Sequence, residues 1–334
     1  MTFHYDSAVK AGVIKPLSPR YDAMMRRGVG AEHLDASSNY FFLRELEQIE
    51  ATQYEVLYAT LKSRMLIPTG DPVDPGAMTV TTRLWDKVGT AQAISDHAND
   101  IPLVNVFGTE GTQRMQDYGA GFSYTIPEIQ AAALANRPLE RDRADAARRV
   151  IEQKIDGVLS TGDSAFGLSG FINLSGVDTY TVPAGGSGST AWAQKTPDEI
   201  LKDMNGMIQQ VITNTNEVES PNTLLLPTAE FQLISTKARS SVSDTTILNF
   251  FRGNRPNVTV DSWVKLNGYG GATRSRFIAY DKNKLKVRSL MAIEYEQAAP
   301  QVRNWAYVIN ARARTGGVVT SYPKSIITAD LDNA

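Results

Sequence analysis

Ala144, Ala147, Ile151, Ile155 and Val158 recur at spacings of three and four between Leu139 and Ser160, which aligns them along one stripe of an α-helix. Glu140, Arg141, Arg143, Arg148, Arg149, Glu152 and Lys154 cover the other faces. At ~1.5 Å per residue such a helix runs ~30 Å, a spine across a whole domain. Its approach is marked as well. Thr125-Ile-Pro-Glu128 has the spacing of a capping box with proline in the first turn. Ile129 to Ala135 is helical by propensity, and Pro138 interrupts before the long helix begins. The exit is Thr161-Gly-Asp163, followed by Gly167-Leu-Ser-Gly170 and an apolar segment, Phe171-Ile-Asn173.

Upstream, Met1 to Ala36 has no clear period and reads as an extended arm, a disordered terminus being the alternative. Ser38 is a plausible cap for a helix carrying Phe42, Leu43, Leu46, Ile49, Leu57 and Leu61. Met65 to Pro68 reads as a short strand, and Thr69 to Gly76 is a dense turn signal. Strand character runs through Ala77 to Val88, resumes at Ile101 to Phe107, and returns at Gln113 to Thr125, where Tyr118, Phe122 and Tyr124 alternate. Gly89 to Asp100 between them is small and polar. The pattern is a long hairpin that leaves the body and returns. An isolated hairpin is marginal in water, so this one needs a partner surface; an ordinary edge hairpin is the alternative.

Downstream, Gly185-Gly-Ser-Gly-Ser189 is a surface loop or boundary. Thr196-Pro-Asp-Glu199 caps a helix whose buried face is Ile200, Met204, Met207, Ile208 and Val211. Thr223 to Leu226 reads as a buried strand, Pro227 to Thr236 and Ile247 to Phe251 as helices. Val258 to Val264, Arg276 to Tyr280 and Leu285 to Met291 read as strands, and Trp305 to Ile327 is strand-rich with a bend or bulge at Gly316-Gly317. The fold class is α+β.

Chemistry is sparse in the sequence. The chain of 334 residues has no cysteine and three histidines, His4, His33 and His97, which excludes disulfides, thiolate zinc sites and cysteine nucleophiles. A net charge of -2 is not that of a general nucleic-acid binder. There is no phosphate-cradling G-x-x-x-x-G-K-[ST], no dinucleotide G-x-G-x-x-G, no H-E-x-x-H and no G-x-S-x-G. Ser95-Asp96-His97 holds triad ingredients, but adjacent residues on an extended chain point apart. Thr161-Gly-Asp-Ser164 could suggest a phosphate nest, and a glycine-capped helix end explains it better. Asp71 and Asp74 could hold a cation, and an Asp/Pro turn accounts for them without one. Asn173-Leu-Ser175 and Asn257-Val-Thr259 match glycosylation sequons by chance. No stretch reaches the ~18 apolar residues of a membrane helix. No catalytic, metal or cofactor residue is expected.

The helix start at Glu128, the run Arg143 to Asp156, the "GD" of Gly162-Asp163 and the Gly167-Leu-Ser-Gly-Phe-Ile-Asn173 block, set between a long hairpin and an α/β region, resemble the major capsid proteins of tailed phages with the Hong Kong 97-like fold. By that resemblance residues 1–67 are an N-terminal arm and helix, and 68–105 an extended β-hairpin loop lying over a neighbour. Residues 106–175 and 305–334 are a peripheral domain built on the spine helix, and 176–304 an axial α/β domain. The resemblance implies pentamers and hexamers closing an icosahedral shell around double-stranded DNA without sequence-specific binding. Portal, scaffolding and decoration proteins are the implied partners; there is no membrane partner, and assembly takes place in the host bacterial cytoplasm. Some relatives carry a cleavable scaffolding segment in front, for which the arm here leaves no room. Others crosslink subunits through a Lys–Asn bond, for which Lys87 in the hairpin is no evidence by itself.

Met78, Val80, Leu84 and Trp85 are the expected intersubunit contacts of the hairpin, and Arg148, Arg149 and Glu152 on the spine helix either pair across subunits or are solvated. Two other readings stay open: an encapsulin-type nanocompartment shell of the same fold, and a soluble hydrolase without Cys or His motifs. A tail or adhesin protein would favour more β repeats.

Overall fold

The computed structural model describes residues 60–93, 102–135, 139–240, 242–269 and 274–332. The expected N-terminal arm, residues 38–59 of the helix expected after Ser38, the Ser95-Asp96-His97 run and Pro138 lie outside them.

The first element is a helical turn, α1 (Ser63–Leu66), where a strand was expected over Met65 to Pro68. The reason lies in which residues are covered. Leu66 and Ile67 are both buried, and their N–H groups bond back to the Lys62 and Ser63 carbonyls instead of across to a neighbouring strand. Asp156 of the spine fixes the turn: its Oδ1 accepts from the Ser63 backbone N–H at 3.0 Å, and its carbonyl accepts from the Ser63 hydroxyl.

A two-stranded antiparallel ribbon follows, β1 (Thr79–Val88) and β2 (Asn105–Arg114), in register from Thr79 opposite Arg114 to Val88 opposite Asn105. The return strand therefore lies almost wholly beyond residue 105, where the sequence placed the end of the loop. Gly108 and Gly111 dilute the strand signal there. After Met115 the chain continues as β3 (Gln116–Thr125), then the helices α2 (Ile126–Ala135) and α3 (Leu139–Thr161). Thr125 and Glu128 close the expected capping box, with bonds of 3.0 and 3.3 Å. On α3 the residues Ala147, Ile151, Ile155 and Val158 are buried, as the stripe required, joined by Leu159.

Two short strands, β4 (Gly162–Asp163) and β5 (Leu168–Ser169), pair at the end of the spine, and β6 (Asp178–Thr179) follows. Helix α4 (Pro197–Asn214) starts at a full capping box of Thr196 and Glu199 and buries the five residues expected of it. Then come β7 (Thr223–Leu226), α5 (Thr228–Thr236), the hairpin β8 (Ala238–Ser240) and β9 (Ser243–Thr246), α6 (Ile247–Asn254), β10 (Thr259–Ser262) and β11 (Arg274–Tyr280). The chain ends in β12 (Val287–Gln297), β13 (Gln301–Arg303), β14 (Ala306–Thr320) and β15 (Ile326–Asp332).

A mixed sheet of order β10-β7-β11-β15-β6 stands between two cores. Successive residues of a strand face opposite ways. Leu224, Leu226, Phe277, Ala279, Ile327 and Ala329 point into one core, which α4, α5 and α6 complete. Leu225, Ile278, Tyr280 and Ile326 point into the other, with Ile151, Ile155 and Leu159 of the spine and Ala311, Ala313 and Val318 of β14. Each fully buried Ile or Leu there contributes about 1.5–3 kcal/mol of transfer free energy.

The second sheet joins β14 to β12 and β13 on one side and β3 on the other. The last two strands are thus divided: β14 lies beside β3 along the spine, while β15 pairs with β11. Strands β12 and β13, although within 176–304, pair with β14. The expected bulge is present: Leu290 faces Gly317 and Met291 faces Thr315, so Gly316 is the extra residue.

Candidate assembly surfaces

The ribbon is exposed along nearly its whole length. Its base is tied to the body. The Met115 N–H donates to the Met78 carbonyl at 2.8 Å, and Ser289 brackets the lead-in segment by donating to the Pro68 carbonyl and accepting from Gly70 N–H. Arg288 donates to the Thr82 and Ser321 hydroxyls at 3.0 and 2.8 Å, and Arg314 donates to the Pro75 carbonyl. Asp74 accepts from Gly76 N–H within the turn, and Asp71 lies 3.2 Å from Lys284.

Beyond the base, pairs within the ribbon join its two strands. Arg83 Nε donates to Glu110 Oε1 at 2.8 Å, and the Thr81 and Thr112 hydroxyls meet at 3.3 Å. The Trp85 indole lies over Gly108 directly opposite, so close that a methyl there would sit 3.0 Å from the ring. Strand alternation puts Leu84, Val88 and Phe107 on one face and Trp85, Lys87 and Val106 on the other. Trp85 is 65% exposed and Phe107 58%. Apolar side chains thus stand exposed on both faces of the ribbon.

Of the residues expected from sequence, Met78, Leu84 and Trp85 are exposed and Val80 half-covered, all on the ribbon or its lead-in. Lys87 stands opposite Val106. Arg148 and Glu152 close on each other at 3.0 Å, and the Arg148 guanidinium rests 5.7 Å from the Tyr295 ring. Arg149 is half-buried on the same helix. Val106 and Phe107, which close the strand expected over Ile101 to Phe107 but were not among the expected contacts, stand exposed on the same ribbon.

Between the proximal ribbon and the body runs an open groove of about 770 Å³, lined by Val73, Val80, Leu84, Leu285 and Tyr322 among others. Its charges are closed on one another. Lys286 bonds both Glu219 and Asp281. Burial works against its ammonium, but those bonds outweigh it and hold the pKa above the usual lysine value. Among the described residues no cluster of His, Asp or Glu could hold a metal ion, and no helix is long and apolar enough to cross a membrane.

The "GD" block is a structural knot at the end of α3. Gly162 sits at φ +81°, and Asp163 accepts from Lys154 Nζ at 2.9 Å and from the Tyr118 hydroxyl at 3.0 Å. The Lys154 bond, with those of Tyr118 and Ala165, holds the Asp163 carboxyl below its usual range, while burial and this carboxylate push the Tyr118 phenol up. Asn173 accepts from Gly170 N–H and donates to the Thr161 carbonyl at 2.7 Å, which engages the side chain of the first sequon.

A family model described as "Major capsid protein" matches residues 89–331. Among solved structures, the capsid of Myoviridae phage XM1 matches with a TM-score of 0.74 at 17% identity, over 88% of this chain and 99% of that one. An empty GTA particle capsid matches at 0.59 and 12% identity, over 90% and 98%. Mycobacterium phage Bobi matches at 0.57 and 14% identity, over 86% and 97%. No curated protein matches. The mixed α and β fold is shared with phage capsids, which sets the class of protein as a capsid-type structural subunit. The chain belongs to the major capsid protein family, and its place is the virion capsid.

Proposed function

We propose that the chain is the Hong Kong 97-like shell subunit of a double-stranded DNA phage and joins its copies through pentamers and hexamers. In this reading the ribbon lies across a neighbouring subunit, β3, α3 and β14 form the peripheral part, and the α4–α6 core forms the axial part that meets its copies at capsomer centres. The ribbon carries the argument: Trp85, Val88, Val106 and Phe107 are more than half exposed and Leu84 39%, and burying them on another chain removes apolar area from water at ~25 cal/mol per Å². Met78 and Val80 extend that contact toward the base. Arg148, Arg149 and Glu152 stand as contacts across subunits with less left to offer, Arg148 and Glu152 being paired already. The enclosed DNA is held without base reading, portal, scaffolding and decoration proteins are its partners in the host bacterial cytoplasm, and the subunit performs no catalysis.

Arg83 lies opposite Glu110, so residues 84–109 can be replaced by Asn-Gly, a turn suited to closing two antiparallel strands. The shortened subunit is expected to fold, by circular dichroism and thermal unfolding, and to give no closed particles in negative-stain electron microscopy. Wild-type-like particles from it would sink the ribbon's role.

A further inference from the structure

Helix α2 is apolar on nearly every side. In Ile-Pro-Glu-Ile-Gln-Ala-Ala-Ala-Leu-Ala only Glu128 and Gln130 are polar, yet none of residues 126–134 is buried, and Leu134 is 92% exposed. A helix of this composition belongs in an interior. Beside it the strands β13 and β14 turn through two residues, Asn304 at φ 50° and Trp305 at φ 60°. Such a turn takes Asn readily at its first position and glycine at its second. A tryptophan there is strained, and this one is 77% exposed, with Val302 nearby at 69%. The Trp305 carbonyl accepts from the Ile126 N–H at 3.0 Å, which joins the hairpin to the start of α2.

We infer that α2 and the Asn304–Trp305 hairpin form a second contact surface, separate from the ribbon, and that its occupant is another copy of this chain, the hairpin of one copy packing on α2 of the next. The inference rests on the shell reading. Ile129, Leu134, Val302 and Trp305 are 38%, 92%, 69% and 77% exposed and together offer an apolar area on the order of a few hundred Å², below the ~800 Å² per partner of a stable free-standing complex. A surface of that size suits a contact that closed symmetry repeats, each copy giving a hairpin and receiving one. Charge agrees: Glu128, the one acidic residue of α2, is closed by Arg143 at 3.1 Å, so two copies meet there without repulsion.

The test uses the full chain and compares wild type, Trp305→Gly and Leu134→Asp. Glycine is the residue the turn favours. Trp305→Gly is therefore expected to leave the thermal midpoint of the dissociated subunit unchanged or raised while the yield of closed particles, by sedimentation and electron microscopy, falls at least tenfold. Leu134→Asp gives the same loss. Because the chain lacks cysteine, Trp305→Cys and Leu134→Cys chains can be co-assembled and oxidised, and a disulfide between the two chains is expected. Wild-type particle yields from both Gly and Asp variants, or a lowered midpoint for Trp305→Gly, would overturn the contact. A wild-type chain that forms no shells would overturn the shell reading and this contact with it.

Discussion

Gly162 and Gly170 cross backbone against backbone where the spine helix ends: a Cβ built on Gly170 would lie 2.2 Å from the Gly162 nitrogen and 2.3 Å from the Thr161 carbonyl carbon. No rotamer change relieves such an overlap, since both obstacles are main chain. The crossing turns the chain from α3 into the buried Phe171 and Ile172 and lets Asn173 reach back to Thr161.

Gly170→Ala is accordingly expected to lower stability by about 3 kcal/mol or more, at the severe end of overpacking. Gly167 is the control. It has a positive φ of 67° but nothing within 4 Å of its would-be Cβ, so Gly167→Ala should cost only about 1–2 kcal/mol, the left-handed penalty. Urea unfolding of the dissociated subunits measures both, and equal losses would contradict the crossing as the cause.

Lys195 and Asp203 form a buried ion pair at 2.6 Å, with side chains 1% and 4% exposed. Trp192 Nε1 donates to the same carboxylate oxygen at 3.0 Å, and Lys195 also donates to the Pro183 carbonyl. Burial pushes the Asp203 carboxyl up despite these bonds. Asp203→Ala strands the ammonium and should cost about 3–5 kcal/mol, whereas replacing both partners by apolar residues of similar size should recover most of it. A double variant, Lys195→Met with Asp203→Leu, as unstable as the single one would show that the pair does more than satisfy itself.

Where pattern and burial coincide, the sequence was readable. The stripe of α3, the caps at Thr125 and Thr196 and the strand Thr223–Leu226 depend on residues within a few positions of one another. What was not readable depends on distant partners. The turn at Ser63 exists because Asp156, far along the chain, holds it. The end of the ribbon is set by register across the hairpin, not by local propensity, and Gly108 is tolerated in a strand because Trp85 covers it. The division of the last two strands between two sheets follows from the bulge at Gly316 and the break after Thr320, which no single window of sequence ranks. The surfaces are harder still, since an exposed Trp85 or Trp305 looks in sequence like any core aromatic.

Glu128 accepts from Arg143 and from the Thr125 N–H, and the Arg143 bond is the main reason its pKa falls from 4.5 to about 2. A carboxyl with a depressed folded-state pKa binds its proton more readily in the unfolded chain, so its stabilisation is complete above about 4.5 and fades as pH drops toward 2. Glu128→Gln should thus be less stable than wild type at neutral pH, and the gap should narrow steadily on acidification across that window. Denaturation curves at several pH values test this; a constant gap would mean that the amide loses geometry rather than charge.

Arg288 holds the ribbon to the body through Thr82, and through Ser321 it is itself held. Arg288→Met keeps the length of the side chain and removes both bonds. Charged hydrogen bonds of this kind are worth about 1.5–3 kcal/mol each when unstrained and shielded; this half-covered pair should lie at the low end. The loss should fall on the ribbon and on the turn at Ser321, because neither Thr82 nor Ser321 belongs to the central sheet. Hydrogen exchange should therefore quicken at amides of residues 80–84 and 110–114 while those of Leu224 to Leu226 keep their protection. Particle yield should fall with it, since a ribbon free to swing presents Trp85 and Phe107 in the docking position for a smaller fraction of the time. Unchanged exchange in the ribbon would mean that the Met78–Met115 bond and the turn at Thr69–Gly76 suffice to aim it.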